Sequence, residues 1–366
     1  MNNIKNLEKS PLEYAKTYSL IARVLAMREE LDVDVDEETN EIETPTIKCM
    51  SLVESDRRIV KLKRVTSDEP VSPVKRSKQE HSSELRVQKR SVLDVFDSHF
   101  HLDRATTRIS CDPTTITIER WLGEQMERPP VVPVNIKGGL LIFCDPETYP
   151  ETVPFDLKWK VAIRLHPKKI YEASPQSVDI FFEYVTNSRV SAVGKVGLDS
   201  SMNPGRANLD RQEQFLKEIT EWIRPTMPLI LHIRSNREDL YSKNLYYRAL
   251  QIFKHHCHPD NFFFILHCFT SDKETITSWL SKSRNTYFGF THIITRFNQQ
   301  QIQALRYIPV NRLLAETDAP YMPPRGIRKN TPIYVGEVVE KLATLRYVDL
   351  KTMALATLEN AQRIFV

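Results

Sequence analysis

The sequence predicts an α/β fold, a TIM-like (β/α)8 barrel over residues 91–366 preceded by a largely disordered N-terminal extension over residues 1–90. Three observations carry this reading. Eight short apolar runs recur after residue 91, separated by helical or polar stretches, which is the pattern of buried parallel strands joined by helical crossovers. All nine glycines lie at Gly123 or later, so the first segment is a different kind of chain. That segment is filled by blocks of like charge with few aromatics, which bury too little apolar surface to offset the entropy of ordering.

Residues 11–31 suit one isolated helix, with Leu20, Ile21, Val24, Leu25 and Ala26 on its apolar face. An acidic block from Glu29 to Glu43 and a basic, Ser/Pro-containing stretch from Arg57 to Arg90 follow. Lys61-Leu62-Lys63-Arg64 and Lys75-Arg76-Ser77-Lys78 suit nuclear import or nonspecific nucleic-acid contact, against the plainer reading of a solvated linker. A phosphate on Ser72, in Ser72-Pro73-Val74-Lys75, would blunt that positive charge. The helix and tail are the candidate elements for a protein partner.

The eight runs are Val92 to Phe96, Val131 to Ile136, Val161 to Leu165, Ala192 to Val196, Leu229 to Ile233, Phe262 to Leu266, Thr286 to Phe290, and Leu313 to Ala315. Leu140 to Phe143 competes with Val131 to Ile136 for the second strand. A net charge of +4 permits a nucleic-acid partner without arguing for one. Cys49, Cys111, Cys144, Cys257 and Cys268 are odd in number and not in paired spacings. They read as reduced thiols of an intracellular protein, cytoplasmic and/or nuclear. With no run of 18 or more apolar residues and no apolar signal core after Met1, neither secretion nor membrane spanning is expected.

Barrels of this kind place their chemistry at the carboxyl ends of the strands. The first run leads into Phe96-Asp97-Ser98-His99-Phe100-His101, where extended backbone points the two imidazoles the same way, towards one ion or into solvent as loop histidines. The third run ends at His166-Pro167 and the fourth carries Lys195 in Gly194-Lys195-Val196-Gly197-Leu198-Asp199. The fifth gives His232 and Arg234, the sixth His267, and the eighth Glu316, Thr317 and Asp318. Four histidines and an aspartate arriving from four strand ends form a metal constellation.

These segments, with Leu266-His267-Cys268-Phe269-Thr270, Leu314 to Tyr321, Arg328 to Pro332 and Asn360 to Phe365, resemble the TatD family of metal-dependent deoxyribonucleases, within the amidohydrolase-type barrels. The resemblance spans the whole barrel and none of the first ninety residues. It implies that His99, His101, His232, His267 and Asp318 bind one or two divalent ions (Zn, Mg or Mn), and that the substrate is DNA. In that family a glutamate of the strand-four motif bridges two ions, and here that position is Lys195. Replacing a carboxylate by an ammonium at about 4 Å, with an effective dielectric of about 20, swings the interaction by about 8 kcal/mol per unit of metal charge.

Four outcomes stay open. One ion is held by His99, His101, His232 and Asp318, with Lys195 as a fixed positive charge able to bind a phosphate. Alternatively a deprotonated Lys195 takes up carbon dioxide and bridges two ions as a carbamate, or the metal is lost and an inactive interaction module remains, or the altered centre hydrolyses a non-phosphoryl substrate. If the centre is active, Asp318 both ligates and accepts the proton of a metal-activated water. His166 and Arg234 contact a phosphate, although an ion pair with a barrel carboxylate competes for Arg234. Asp97 and Asp199 are expected to orient ligands, and Cys268 to pack outward because its neighbour His267 points inward.

Overall fold

The structure is a computed structural model that describes residues 91–108, 118–153, 158–202 and 205–366. The proposed N-terminal helix, the charged tail and its basic clusters, Cys49 and Cys111 lie outside the described residues. Eight strands pair in parallel, in sequence order, in one sheet: β1 (Leu93–Phe100), β2 (Val134–Phe143), β3 (Trp159–Ile163), β4 (Ala192–Asp199), β5 (Leu229–Arg234), β6 (Phe264–Leu266), β7 (Thr286–Phe290) and β8 (Leu313–Ala315). Around them lie α1 (Leu102–Arg108), α2 (Ile118–Glu124), α3 (Pro167–Ile170), α4 (Pro175–Thr186), α5 (Arg206–Trp222), α6 (Lys243–His256), α7 (Lys273–Lys282), α8 (Gln299–Tyr307), α9 (Val335–Arg346) and α10 (Leu350–Phe365). This is a nearly closed (β/α)8 barrel, and each apolar run of the sequence overlaps one strand. The two candidates for the second strand are joined in β2, whose exposed start contains Ile136 and whose buried half contains Leu140 to Phe143.

One apolar cluster draws Phe96, Leu140, Ile142, Ala162, Ala192, Ile230, Ile265, Tyr287 and Leu314 from all eight strands, so it is the barrel interior. Leu358, Ala361, Ile364 and Phe365 of α10 join it, and the Phe365 ring stacks on Phe96 at 5.8 Å. Helix α10 starts where Asp349 accepts from the Thr352 N–H at 2.9 Å, a side-chain cap on an otherwise orphaned donor. Its apolar face therefore closes the amino-terminal end of the barrel and leaves the other end for chemistry. Among the described residues, no helix is long and apolar enough to cross a membrane.

The seam between β1 and β8 closes beyond the end of β8. The His101 N–H donates to Ala319 O at 2.7 Å and the Asp318 N–H to His99 O at 2.9 Å. Asp97, buried beneath this seam, accepts from the Thr317 N–H at 2.9 Å and from the Thr317 hydroxyl at 2.5 Å. Burial outweighs these bonds and pushes its carboxyl up to about 8.

Helix α7 carries a device whose strength depends on pH. Partial burial alone would raise the Asp272 carboxyl, but bonds from the Thr275 N–H and hydroxyl, both at 3.0 Å, and the Lys243 ammonium hold it below its ordinary value. A depressed folded-state value gives stability that is present above the unfolded value of about 3.9 and is lost as pH falls below it. Asp272→Ala is expected to cost about 1 kcal/mol at neutral pH, and the gap in melting midpoint from the parent should narrow below about pH 4.

Candidate metal centre

The strand period of two builds the site directly on the core. Two residues beyond interior Ile142, Ala162, Ile230, Ile265 and Leu314 stand Cys144, Arg164, His232, His267 and Glu316, all on the inward face at the carboxyl end. In β7 the equivalent residue is Gly289, where a Cβ would collide with the Glu316 carboxylate. In β4 the backbone at Gly194 and Gly197 has φ of +137° and +150°, and a Cβ at either would strike the carbonyl oxygen of Ile230 or His232. Glycine is required at both positions. The β4–β5 register shifts between Gly194 and Val196, where Lys195 stands.

Asp318 Oδ1 is the point of convergence. It lies 3.1 Å from His101 Nε2, 3.5 Å from His267 Nε2, 3.6 Å from His99 Nε2 and 2.9 Å from Lys195 Nζ. All five side chains are buried. Burial drives His99, His101 and His267 well below the ordinary histidine value, assisted by the Lys195 charge, so the three rings are neutral. Burial works against the Asp318 carboxylate, but Lys195 and the histidines more than compensate and hold it well below its usual range. Glu316, 2.9 Å from His267 Nδ1, is pushed by burial up to about 8.

A second group sits beside the first. His166, Asp199 and His232 place ligand atoms within 4.8 Å of one another. His232 Nε2 is 2.8 Å from Asp199 Oδ2, and burial lowers His232 to about 4 despite this partner. Asp199 resists burial through His232 and Ser201 and falls to about 2. An ionised acceptor fixes the proton of neutral His232 on Nε2 and leaves the lone pair on Nδ1. The Lys168 N–H donates to His166 Nδ1 at 3.1 Å, so the proton of neutral His166 is on Nε2.

The structure thus brings His99, His101, His267, Asp318 and Lys195 together. It pairs His232 with Asp199 and His166, and leaves Arg234 exposed at the end of β5. Asp199 orients a histidine ring as expected, whereas Asp97 bonds the backbone N–H of His99 (3.2 Å) and Thr317, and so positions the chain instead of a ring. The Cys268 sulfur contacts Thr291 and Met322 at 3.4 and 3.8 Å. Its φ of +49° breaks the strand alternation on which the outward expectation rested. Cys144 and Arg164 were missed, although the same two-residue step from Ile142 and Ala162 marks them in the sequence.

The donors suit a cation. Both ring nitrogens of buried His99 lack a hydrogen-bond partner, an expense that a ligand to its lone pair would remove. His99, His267 and Asp318 offer two neutral nitrogens and one carboxylate oxygen within 4.8 Å of one another, a set that matches borderline divalent metals.

Comparison with known proteins agrees. The family model described as TatD related DNase matches residues 96–366. The "uncharacterized metal-dependent hydrolase YcfH" of Escherichia coli is 33% identical over 205 residues, covering 55% of this chain and 71% of that one. The human "3'-5' RNA nuclease TATDN2" is 27% identical over 280 residues, covering 74% of this chain and 35% of that protein. The crystal structure of the E. coli TatD homologue YjjV superposes with a TM-score of 0.53 at 21% identity, over 74% of this chain and 97% of that one, a likeness of fold.

Proposed function

Given that the chain belongs to the TatD related DNase family and is a metal-dependent hydrolase, we propose that it hydrolyses DNA phosphodiester bonds from an end, using a single divalent cation. The observation that carries this reading is the convergence of three neutral imidazoles on the ionised Asp318, with buried His99 unsatisfied. Lys195 limits the count to one, because its ammonium stands 2.9 Å from the same carboxylate oxygen. A carboxylate bridging a second ion has no counterpart there.

His99, His101, His267 and Asp318 would hold the ion, and His232, kept with its lone pair on Nδ1 by Asp199, would serve as a further ligand. The ion, when bound, lowers the pKa of a water towards about 7 and polarises a phosphoryl oxygen. Asp318 accepts the proton of the attacking water through its second oxygen. His166 donates its Nε2 proton to a substrate oxygen, and Arg234, exposed at the rim, grips a neighbouring phosphate with its planar fork. Asp199 keeps His232 in one tautomer throughout. The helix and charged tail of residues 1–90 are candidate elements for a protein partner, and residues 61–64 and 75–78 suit nuclear import or nonspecific nucleic-acid contact, against the plainer reading of a solvated linker.

The Lys195 to Asp318 pair also favours a second reading, a TatD-like protein without activity that serves as a binding module. One experiment separates them. Purified full-length chain, reconstituted with Zn, Mn or Mg, is expected to retain about one ion per chain and to shorten an end-labelled single-stranded DNA, with an RNA of the same sequence in parallel. Chelator should abolish both properties. Absence of stoichiometric metal would remove the hydrolase mechanism, and cleavage that survives chelation would belong to a contaminant. Faster cleavage of RNA would overturn the assignment of DNA.

A further inference from the structure

Arg164 lies one residue beyond the end of β3, two residues past Ala162 of the barrel core, and is only 9% exposed. Its backbone is pinned on both sides, the N–H donating to Phe143 O at 3.0 Å and the carbonyl accepting from the Tyr149 hydroxyl at 2.6 Å. Nη1 donates to Cys144 Sγ at 3.3 Å, and that sulfur is 3.1 Å from His101 Nδ1. Nε is buried with no hydrogen-bond partner. Among the described residues, no carboxylate lies within the 4.0 Å ion-pair distance of the guanidinium.

A buried cation without a counter-charge is costly, and a fold that only needed stability would replace it with an apolar side chain. The buried carboxylates of this rim are bound to other groups: Asp103 accepts from the Cys144 N–H and the Thr148 hydroxyl, and Asp145 pairs with Arg104 and Lys169. Cys144 offers the guanidinium only a sulfur contact, at 3.3 Å from Nη1. Lys195 consumes the charge of Asp318. The inner layer around Arg164 therefore keeps a guanidinium with no direct carboxylate partner among the described residues, its hydrogen-bond donors fixed in a plane, at the open end of the barrel.

We propose that Arg164 is the anchor of a phosphate-binding site, its guanidinium contacting the oxygens of the phosphate to be cleaved while Cys144 and Tyr149 hold it in place. This rests on the nuclease reading for its substrate, but its test does not. Arg164 supplies the bidentate donor that a phosphate favours.

The test measures the affinity of inorganic phosphate for the full-length chain, metal-loaded and chelator-treated, by calorimetry. Arg164→Met removes the charge and keeps the length. It is expected to weaken phosphate binding about ten- to a hundred-fold, as for bonds to a charged group. Metal content should be unchanged and the melting midpoint equal or higher, because an unpaired buried charge has been removed. Unchanged phosphate affinity would overturn the proposal, as would a parent chain that binds no phosphate. A lower midpoint with unchanged affinity would make Arg164 a structural prop. Should Arg164→Met fail to fold, Arg164→Lys keeps the charge without the fork and is expected to show a smaller loss, parent-like affinity counting against the fork. If phosphate binds through Arg164 but no nucleic acid is cleaved, the nuclease reading fails and the anion site stands.

Discussion

Asp318→Asn is expected to release the metal, to lower hydrolysis by more than about 100-fold, and to destabilise the chain. Changing even a group that only orients a ligand costs about 10- to 100-fold in metal affinity or activity, and Asp318 is the atom set on which His99, His101 and His267 converge. The stability loss has a separate cause. Lys195 and Asp318 have side chains 7% and 4% exposed, 2.9 Å apart, and removing one member of such a pair leaves the other as an uncompensated buried charge, at about 3–5 kcal/mol. The lower end applies, because an amide oxygen still accepts a bond. Denaturant midpoints should show this, and adding Lys195→Met to Asp318→Asn should recover much of the stability with none of the activity. If Asp318→Asn retains its metal and turns over normally, the centre is elsewhere.

Lys195→Glu tests the count of ions. The new carboxylate would face Asp318 in the same buried space, so the metal-free variant should be less stable than the parent, by several kcal/mol for a buried pair turned from attraction to repulsion. Metal should then do more for it. Bound content is expected to rise from about one ion per chain to about two, and saturation at 100 times the dissociation constant adds about 2.7 kcal/mol per site. A gain of nuclease activity from near zero would mark Lys195 as decay of an ancestral centre, and a loss would show that the lysine participates. Should the folded variant still bind one ion, the charge of Lys195 is not what sets the number. Native intact mass of the parent adds a further check, since a chain heavier by one carbon dioxide at Lys195 would favour the carbamate.

Much of the barrel was legible because its signals are local. Leu229 to Ile233 and Thr286 to Phe290 are apolar and bounded, and a strand buried on both faces needs no more than that. The second strand was ambiguous for the same reason: the half containing Ile136 is partly exposed and the half containing Leu140 is buried, so one strand looked like two rivals. His99, His101, His267 and Asp318 were found from their places at strand ends. Arg164 is not a ligand type and Cys144 read only as one of five scattered thiols, so only the interior parity shared with Ala162 and Ile142 marks them.

By itself, then, the sequence determined the eight-stranded architecture and set candidate ligand types, with Lys195 beside them, at the strand ends. Tertiary structure decided the partnerships. Asp318 meets His101 across 217 residues because the barrel closes at the seam between the first strand and the loop after the last, and His232 turns to Asp199 because adjacent strands bring them within 2.8 Å. A pairing of buried charges is fixed by closure and register, which no local pattern encodes. For the same reason the ion pair of Lys195 with Asp318, and the guanidinium of Arg164 without a direct carboxylate partner among the described residues, became visible only in the folded barrel.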